Sequence, residues 1–296
     1  MSLNDTQIAR LLDSARALVE EDKHLHAMQL YHRLIAVDPG FVPAYTELAS
    51  LYAEVGQFSA VIRLLDRARE YVRDETEIVF LLGSYHLRME RYDTALSYFK
   101  QLAEKKLPRV HFNMGIAYFY KSDIKRAEEQ FRLTMRFDPA FPKINESLGE
   151  LLLKREAYAE AIDFLKRGIA ADPYSSVNHH LLGVAYSHLD EWKRAYREFI
   201  LAVDMDPNEA ANWLLCGQAL FHLKRYEEAE RYVRKSIELD AFCPDAFAAL
   251  GQVLIARGNT LQAIEVVNKA LALDPRHGQA KDLRWKLQHK SKQQSR

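Results

Sequence analysis

The sequence predicts an all-α protein built from eight antiparallel helix pairs, and three observations carry that expectation. Pro139, Pro173, Pro207 and Pro275 stand at multiples of 34 residues, inside copies of one turn: "FDPAFP", "ADPYSS", "MDPNEA" and "LDPRHG". Small residues form two columns at the same period, Gly115, Gly149, Gly183, Gly217 and Gly251 in one and Ala127, Ala161, Ala195, Ala229 and Ala263 in the other. Within each period apolar residues recur at three and four, the spacing of a helix with one buried stripe.

Repeats therefore begin near Ile8, Val42, Thr76, Pro108, Pro142, Ser176, Ala210 and Pro244. The first and second are loose copies, with Ala15 and Ala49 in the small column and Ala27 and Val61 in the second. The third has Gly83 and Ala95 but is two residues short, because "AEKKLPRV" runs straight into Pro108. That junction, near Leu107–Pro108, is expected to change the angle between neighbours while remaining inside one domain, since no Gly/Ser-rich stretch accompanies it. The fourth repeat carries large flanking residues, Tyr118 and Phe131, and the seventh Trp213 and Tyr226. In each first helix the small residue lets the second helix approach. A helical Gly costs about 1 kcal/mol relative to Ala, so its recurrence in six repeats argues for backbone contact. Pro after Asp ends one pair and starts the next. Residues 1–277 are thus read as one array, and 278–296 as a cap helix, "GQAKDLRWKLQ", with a basic tail.

Composition excludes several functions. Lys plus Arg equals Asp plus Glu at 41 each, which removes the general electrostatic case for nucleic acid. No apolar run is long enough to cross a bilayer, so no membrane insertion is expected. The polar, acidic start has no leader pattern. Two cysteines make no disulfide framework, and a cytoplasmic location is the expectation. Cys216 falls in a core column and Cys243 in a loop.

"NMGIAYFYKSDIKRAEEQFRLTMRFDP" and "LLGVAYSHLDEWKRAYREFILAVDMDP" resemble the tetratricopeptide repeat, with its Leu-Gly, Tyr, Ala, Phe, Ala and Pro at fixed spacing. The resemblance runs from residue 8 to about 277. It implies a right-handed α-solenoid of antiparallel helix pairs, a TPR superhelix with a concave groove that binds peptides or partner helices. Two specialisations of the family are missing. "AYTELASLYAEV" and "VFLLGSYHLRM" lack the Asn of members that hold a C-terminal carboxylate, and Asn113 is the single Asn along the column that forms a ladder in others.

Carried over by register, the groove face comprises Phe80 and Leu87, then Phe112, Ile116, Phe119 and Tyr120, then Glu146, Glu150 and Lys154. Farther along it comprises His180 and His188, then Leu214, Phe221 and His222. "HFNMGIAYFYKSD" is apolar on two faces, and a helix of that kind must bury both or offer one to a partner. The expected hydrophobic centre is Phe112, Ile116, Phe119 and Tyr120 with Phe80 and Leu87, beside the irregular junction.

His179, His180, His188 and His222 do not make a metal site. His180 and His188 lie about 12 Å apart along a helix, and no Cys or carboxylate completes a set. Nucleotide loops and catalytic motifs are missing, so neither a cofactor nor catalysis is expected. The expectation is a non-enzymatic scaffold or adaptor that holds a protein partner, a short peptide or amphipathic helix, for complex assembly. The alternative is a regulatory or targeting subunit of an enzyme or secretion complex, acting through its convex face or basic tail.

Overall fold

Asp residues stand at every 34th position before the turns, and each ends a helix pair in the same way. The computed structural model describes residues 4–294, with side chains as far as His289; Lys290, Lys292 and Arg296 of the basic tail lie outside the described side chains. The carboxylates of Asp138, Asp172, Asp206, Asp240 and Asp274 accept the backbone N–H two residues on, at 2.8–3.3 Å. This Asx turn closes the loop even where Ala241 replaces proline.

Among the described residues every regular element is helical, 17 α-helices and one 3₁₀ turn. They fall into two compact units, Met1–Phe141 and Pro142–Arg296. The first unit holds four pairs: α1 (Asp5–Glu20) with α2 (His24–Val37), α3 (Val42–Glu54) with α4 (Phe58–Ala68), α5 (Thr76–Arg88) with α6 (Tyr92–Gln101), and α7 (Pro108–Tyr120) with α8 (Ile124–Phe137). The second holds α9 (Ile144–Lys154) with α10 (Tyr158–Ala171), α11 (Ser176–His188) with α12 (Trp192–Met205), α13 (Ala210–His222) with α14 (Tyr226–Leu239), and α15 (Pro244–Ala256) with α16 (Thr260–Leu273). A final helix, α17 (Gly278–Gln294), packs on α15 and α16. In each unit a helix touches its own partner and the next pair.

The bend inside each pair is a single residue with positive φ: Asp22, Gly56, Glu90, Ser122, Glu156, Asp190, Lys224 and Gly258. These eight keep the 34-residue period, shortened once between Glu90 and Ser122. A left-handed residue stops a helix and turns the chain back. Here only two of the eight are glycine, the residue that accepts this conformation without strain.

The glycine column sets the closeness of each pair. A Cβ on Gly83, Gly115 or Gly183 would fall 2.5–2.6 Å from the rings of Phe99, Phe131 and Phe199. On Gly149, Gly217 and Gly251 it would meet Leu165, Val233 and Val267 at 2.4–2.6 Å. Ala15, Ala49 and the alanine column from Ala95 to Ala263 are fully buried. Two rings also tie the loops down: Tyr45 Oη donates to the carbonyl of Pro39 at 3.0 Å, and Trp213 Nε1 to that of Pro207 at 2.9 Å.

The irregular junction consists of the 3₁₀ turn Ala103–Lys105 and Lys106 at φ 52°. α5 and α6 both pack on α7 across it, so the junction lies inside the first unit, one repeat before the unit ends.

Candidate partner-binding surface

At four places the last residue of a first helix meets the first residue of the preceding second helix. A ladder of flat contacts results. The Arg88 guanidinium lies 5.4 Å from the Phe58 ring centroid. Tyr120 stacks on Tyr92 at 5.7 Å, His188 on Tyr158 at 4.6 Å and His222 on Trp192 at 3.7 Å, all within 8° of parallel. Burial pushes the His222 pKa down, against an opposing pull from Asp190. Three residues expected to face a ligand therefore also clamp neighbouring repeats.

The first unit uses most of its aromatic surface internally. Phe119 is 5% exposed, which corrects the expectation that it lines an open groove; it sits edge-on to Tyr120, with centroids 5.8 Å apart. Phe112 is half-buried between Phe131 and Phe141, at 5.7 and 5.0 Å. Phe80, also half-buried, packs on Phe99 and is covered by the Arg109 guanidinium 4.2 Å from its centroid, which Glu77 in turn holds. Ile116 and Leu87 are half-buried. Tyr120 alone of this set is open, at 61%. The surplus apolar face of α7 thus meets rings of its own unit.

In the second unit Glu146, Glu150 and Lys154 follow one stripe of α9, with Glu150 and Lys154 exposed. Surrounding protein nevertheless raises the Glu150 pKa; Lys154 opposes this and Glu146 adds to it. A carboxylate open to solvent yet desolvated in this way favours a cationic neighbour. His180, half-buried, donates from Nδ1 to Asn212 Oδ1 at 2.7 Å. Leu214 is 8% exposed and packs in the core with Val233 and Leu250, so it too is corrected from groove to interior.

Phe221 and His222 are brought together on a cleft of about 250 Å³. Its lining includes Trp192 and Ser187, the amides of Gln218, Gln252 and Gln279, and the buried Phe199 and Val233. Gln279 Nε2 donates to Gln252 Oε1 at 2.9 Å. No Asp, Glu, Lys or Arg lines this cleft. Amide side chains carry both donors and acceptors, so they match the backbone of an extended peptide, while the ring walls accept one apolar side chain. The sequence reading missed Gln252, Gln279 and Trp192, although Gln218 and Gln252 lie one 34-residue period apart.

Nothing else here suggests chemistry. Among the described residues no three His, Cys, Asp or Glu are placed to hold a metal ion. Burial pushes the Cys216 thiol up to about 12, where it is unreactive. Cys243 is half-buried and also free. Among the described residues no helix is long and apolar enough to cross a membrane.

The tetratricopeptide repeat model matches residues 46–108, 112–176 and 228–278, more than half of the chain. The chain belongs to the tetratricopeptide repeat family. Within it, residues 154–236 also match the model for anaphase-promoting complex, cyclosome, subunit 3. The general transcriptional corepressor ssn6 of Schizosaccharomyces pombe is 29% identical over 49% of this chain, a match covering 13% of ssn6. The BBSome complex member BBS4 of Bos taurus is 26% identical over 59% of this chain and 34% of its own. This chain thus spans about a third or less of these relatives. Among solved structures, that of the APC/C hetero-tetramer Cut9-Hcn1 matches with a TM-score of 0.67 at 17% identity, over 96% of this chain and 57% of the other. That likeness concerns the fold. Tetratricopeptide repeat proteins generally mediate protein–protein interaction, and nothing among the described residues speaks for catalysis.

Proposed function

We propose that this protein is a non-enzymatic scaffold that holds a partner's extended segment in the cleft of its second unit, as one step in assembling a larger complex. The observation that carries the reading is the cleft itself: uncharged, walled by Trp192, Phe221 and His222, and edged by three glutamine amides. A ligand suited to it has one large apolar side chain between uncharged neighbours. The Glu146–Glu150 stripe lies in the same unit and favours a basic residue elsewhere in the segment. The name of one relative, BBSome complex member BBS4, agrees with a scaffold role.

Selection from a library of random displayed peptides tests this. The expected consensus is one aromatic or large aliphatic residue with no acidic neighbours. Enrichment of no peptide, or only of peptides whose binding survives Phe221→Ala, sinks the reading.

A further inference from the structure

On α15 the residues that seat the second helix of the pair are Phe247, Leu250, Gly251 and Leu254. Leu250 and Leu254 are 2% and 0% exposed, and a Cβ on Gly251 would come within 2.6 Å of Val267. Thirty-four residues on, α17 carries Lys281, Arg284, Trp285 and Gln288 at those places. At about 100° per residue these four form one stripe, with Asp282 outside it. A helix face left open needs only polar side chains to stay in water. Trp285 does not fit that need. It occupies the column otherwise kept to Gly or Ala, it is 60% exposed, and its ring stacks on His289 at 4.2 Å.

The neighbouring surface of α16 is apolar too. Leu261 is 85% and Ile264 39% exposed. Between the helices lies a cleft of about 150 Å³, lined by Ile264, Val267, Asn268, Arg284, Leu287 and Gln288. Among the described residues Lys281 and Arg284 form no ion pair, whereas Glu265, the nearby acid of α16, is held by Lys269 at 3.3 Å. The face therefore combines open apolar surface with two unneutralised cations.

We propose that this α16–α17 face docks an acidic amphipathic helix of a partner protein. Its shape follows from the repeat, since each earlier first helix is covered by a helix at these same positions. Its charge follows from Lys281 and Arg284. Trp285 keeps it at ordinary interhelical spacing, about 8–10 Å, rather than at the close approach of the glycine column. A leucine of the incoming helix seats in the cleft beside Ile264, and its carboxylates meet Arg284 and Lys281. Trp and Arg together are the residue types that anchor interfaces. The proposal is independent of the second-unit cleft proposed above.

The test uses the full chain and a labelled synthetic helix of about 18 residues, Leu on one face and Glu on the other, with a Lys-for-Glu twin. Fluorescence anisotropy should show micromolar binding of the acidic peptide only, weakened by salt. Trp285→Ala and Arg284→Glu should each weaken it by about tenfold or more, Lys281→Glu should weaken it as well, and the cleft variant Phe221→Ala should not. Equal binding of both peptides, or loss caused by Phe221→Ala alone, overturns the proposal. So does binding to anionic phospholipid vesicles without binding to the peptide, or a Trp285-dependent self-association in sedimentation.

Discussion

Trp192 and His222 lie face to face, their centroids 3.7 Å apart and their planes 3° from parallel, although one begins a second helix and the other ends the next first helix. This stack ties two repeats and forms one wall of the cleft. His222→Ala should lower stability by about 0.5–1.5 kcal/mol, the worth of an aromatic pair, and His222→Phe should restore most of it. The stack also has a pH signature. Burial lowers the folded pKa of His222, so its contribution is intact above the unfolded pKa of about 6.5 and is lost as pH falls through the folded value. Denaturant titrations at pH 8 and pH 5 should show a smaller drop for His222→Phe than for the native chain. His86, similarly lowered by burial and by Arg91, leaves a residual drop in both.

The glycine column sets helix spacing rather than flexibility. Gly183→Ala gains up to about 1 kcal/mol in helix propensity, but its Cβ would fall 2.5 Å from the Phe199 ring. Overpacking of this kind costs about 1–3 kcal/mol, so the net effect should be destabilising. Adding Phe199→Leu should give back part of the loss, which a double-mutant cycle measures. Ala195→Leu, at a fully buried position, should be worse than either.

The left-handed turns offer the opposite opportunity. Lys224 and Glu156 hold φ of 61° and 59°, a conformation costing a non-glycine residue about 1 kcal/mol or more. Lys224→Gly should therefore raise stability by several tenths to about 1 kcal/mol, and Gly258→Ala should lower it by a similar amount. Scanning calorimetry decides the sign.

The repeat was legible because 34-residue spacing of Gly, Ala and Pro has one physical reading, helix pairs in close approach. The structure adds what spacing cannot give. The left-handed column at Asp22, Glu90 and Lys224 has no shared residue type, so no single residue marks it along the sequence. Asp240 keeps its turn where proline is missing, which the proline column hid. For the candidate surface, register put Phe221 and His222 on one face, and both line the cleft. It could not tell Phe119 and Leu214, which point between packed helices, from residues one position away that point outward. Nor could it show that Arg109 covers Phe80, because a cation over a ring depends on a side-chain path, not on a period.

The proposed seat of the partner segment is the second-unit cleft and not the aromatic stripe of α7. Calorimetric titration with a peptide chosen by the displayed-library selection tests it most directly. Phe221→Ala and the pair Gln218→Ala/Gln252→Ala should each weaken binding by about tenfold or more, in the range of hot-spot truncations. Tyr120→Ala, at an open ring of the first unit, should leave affinity within about twofold. Loss of binding in Tyr120→Ala with unchanged affinity in the cleft variants would contradict the account at its centre.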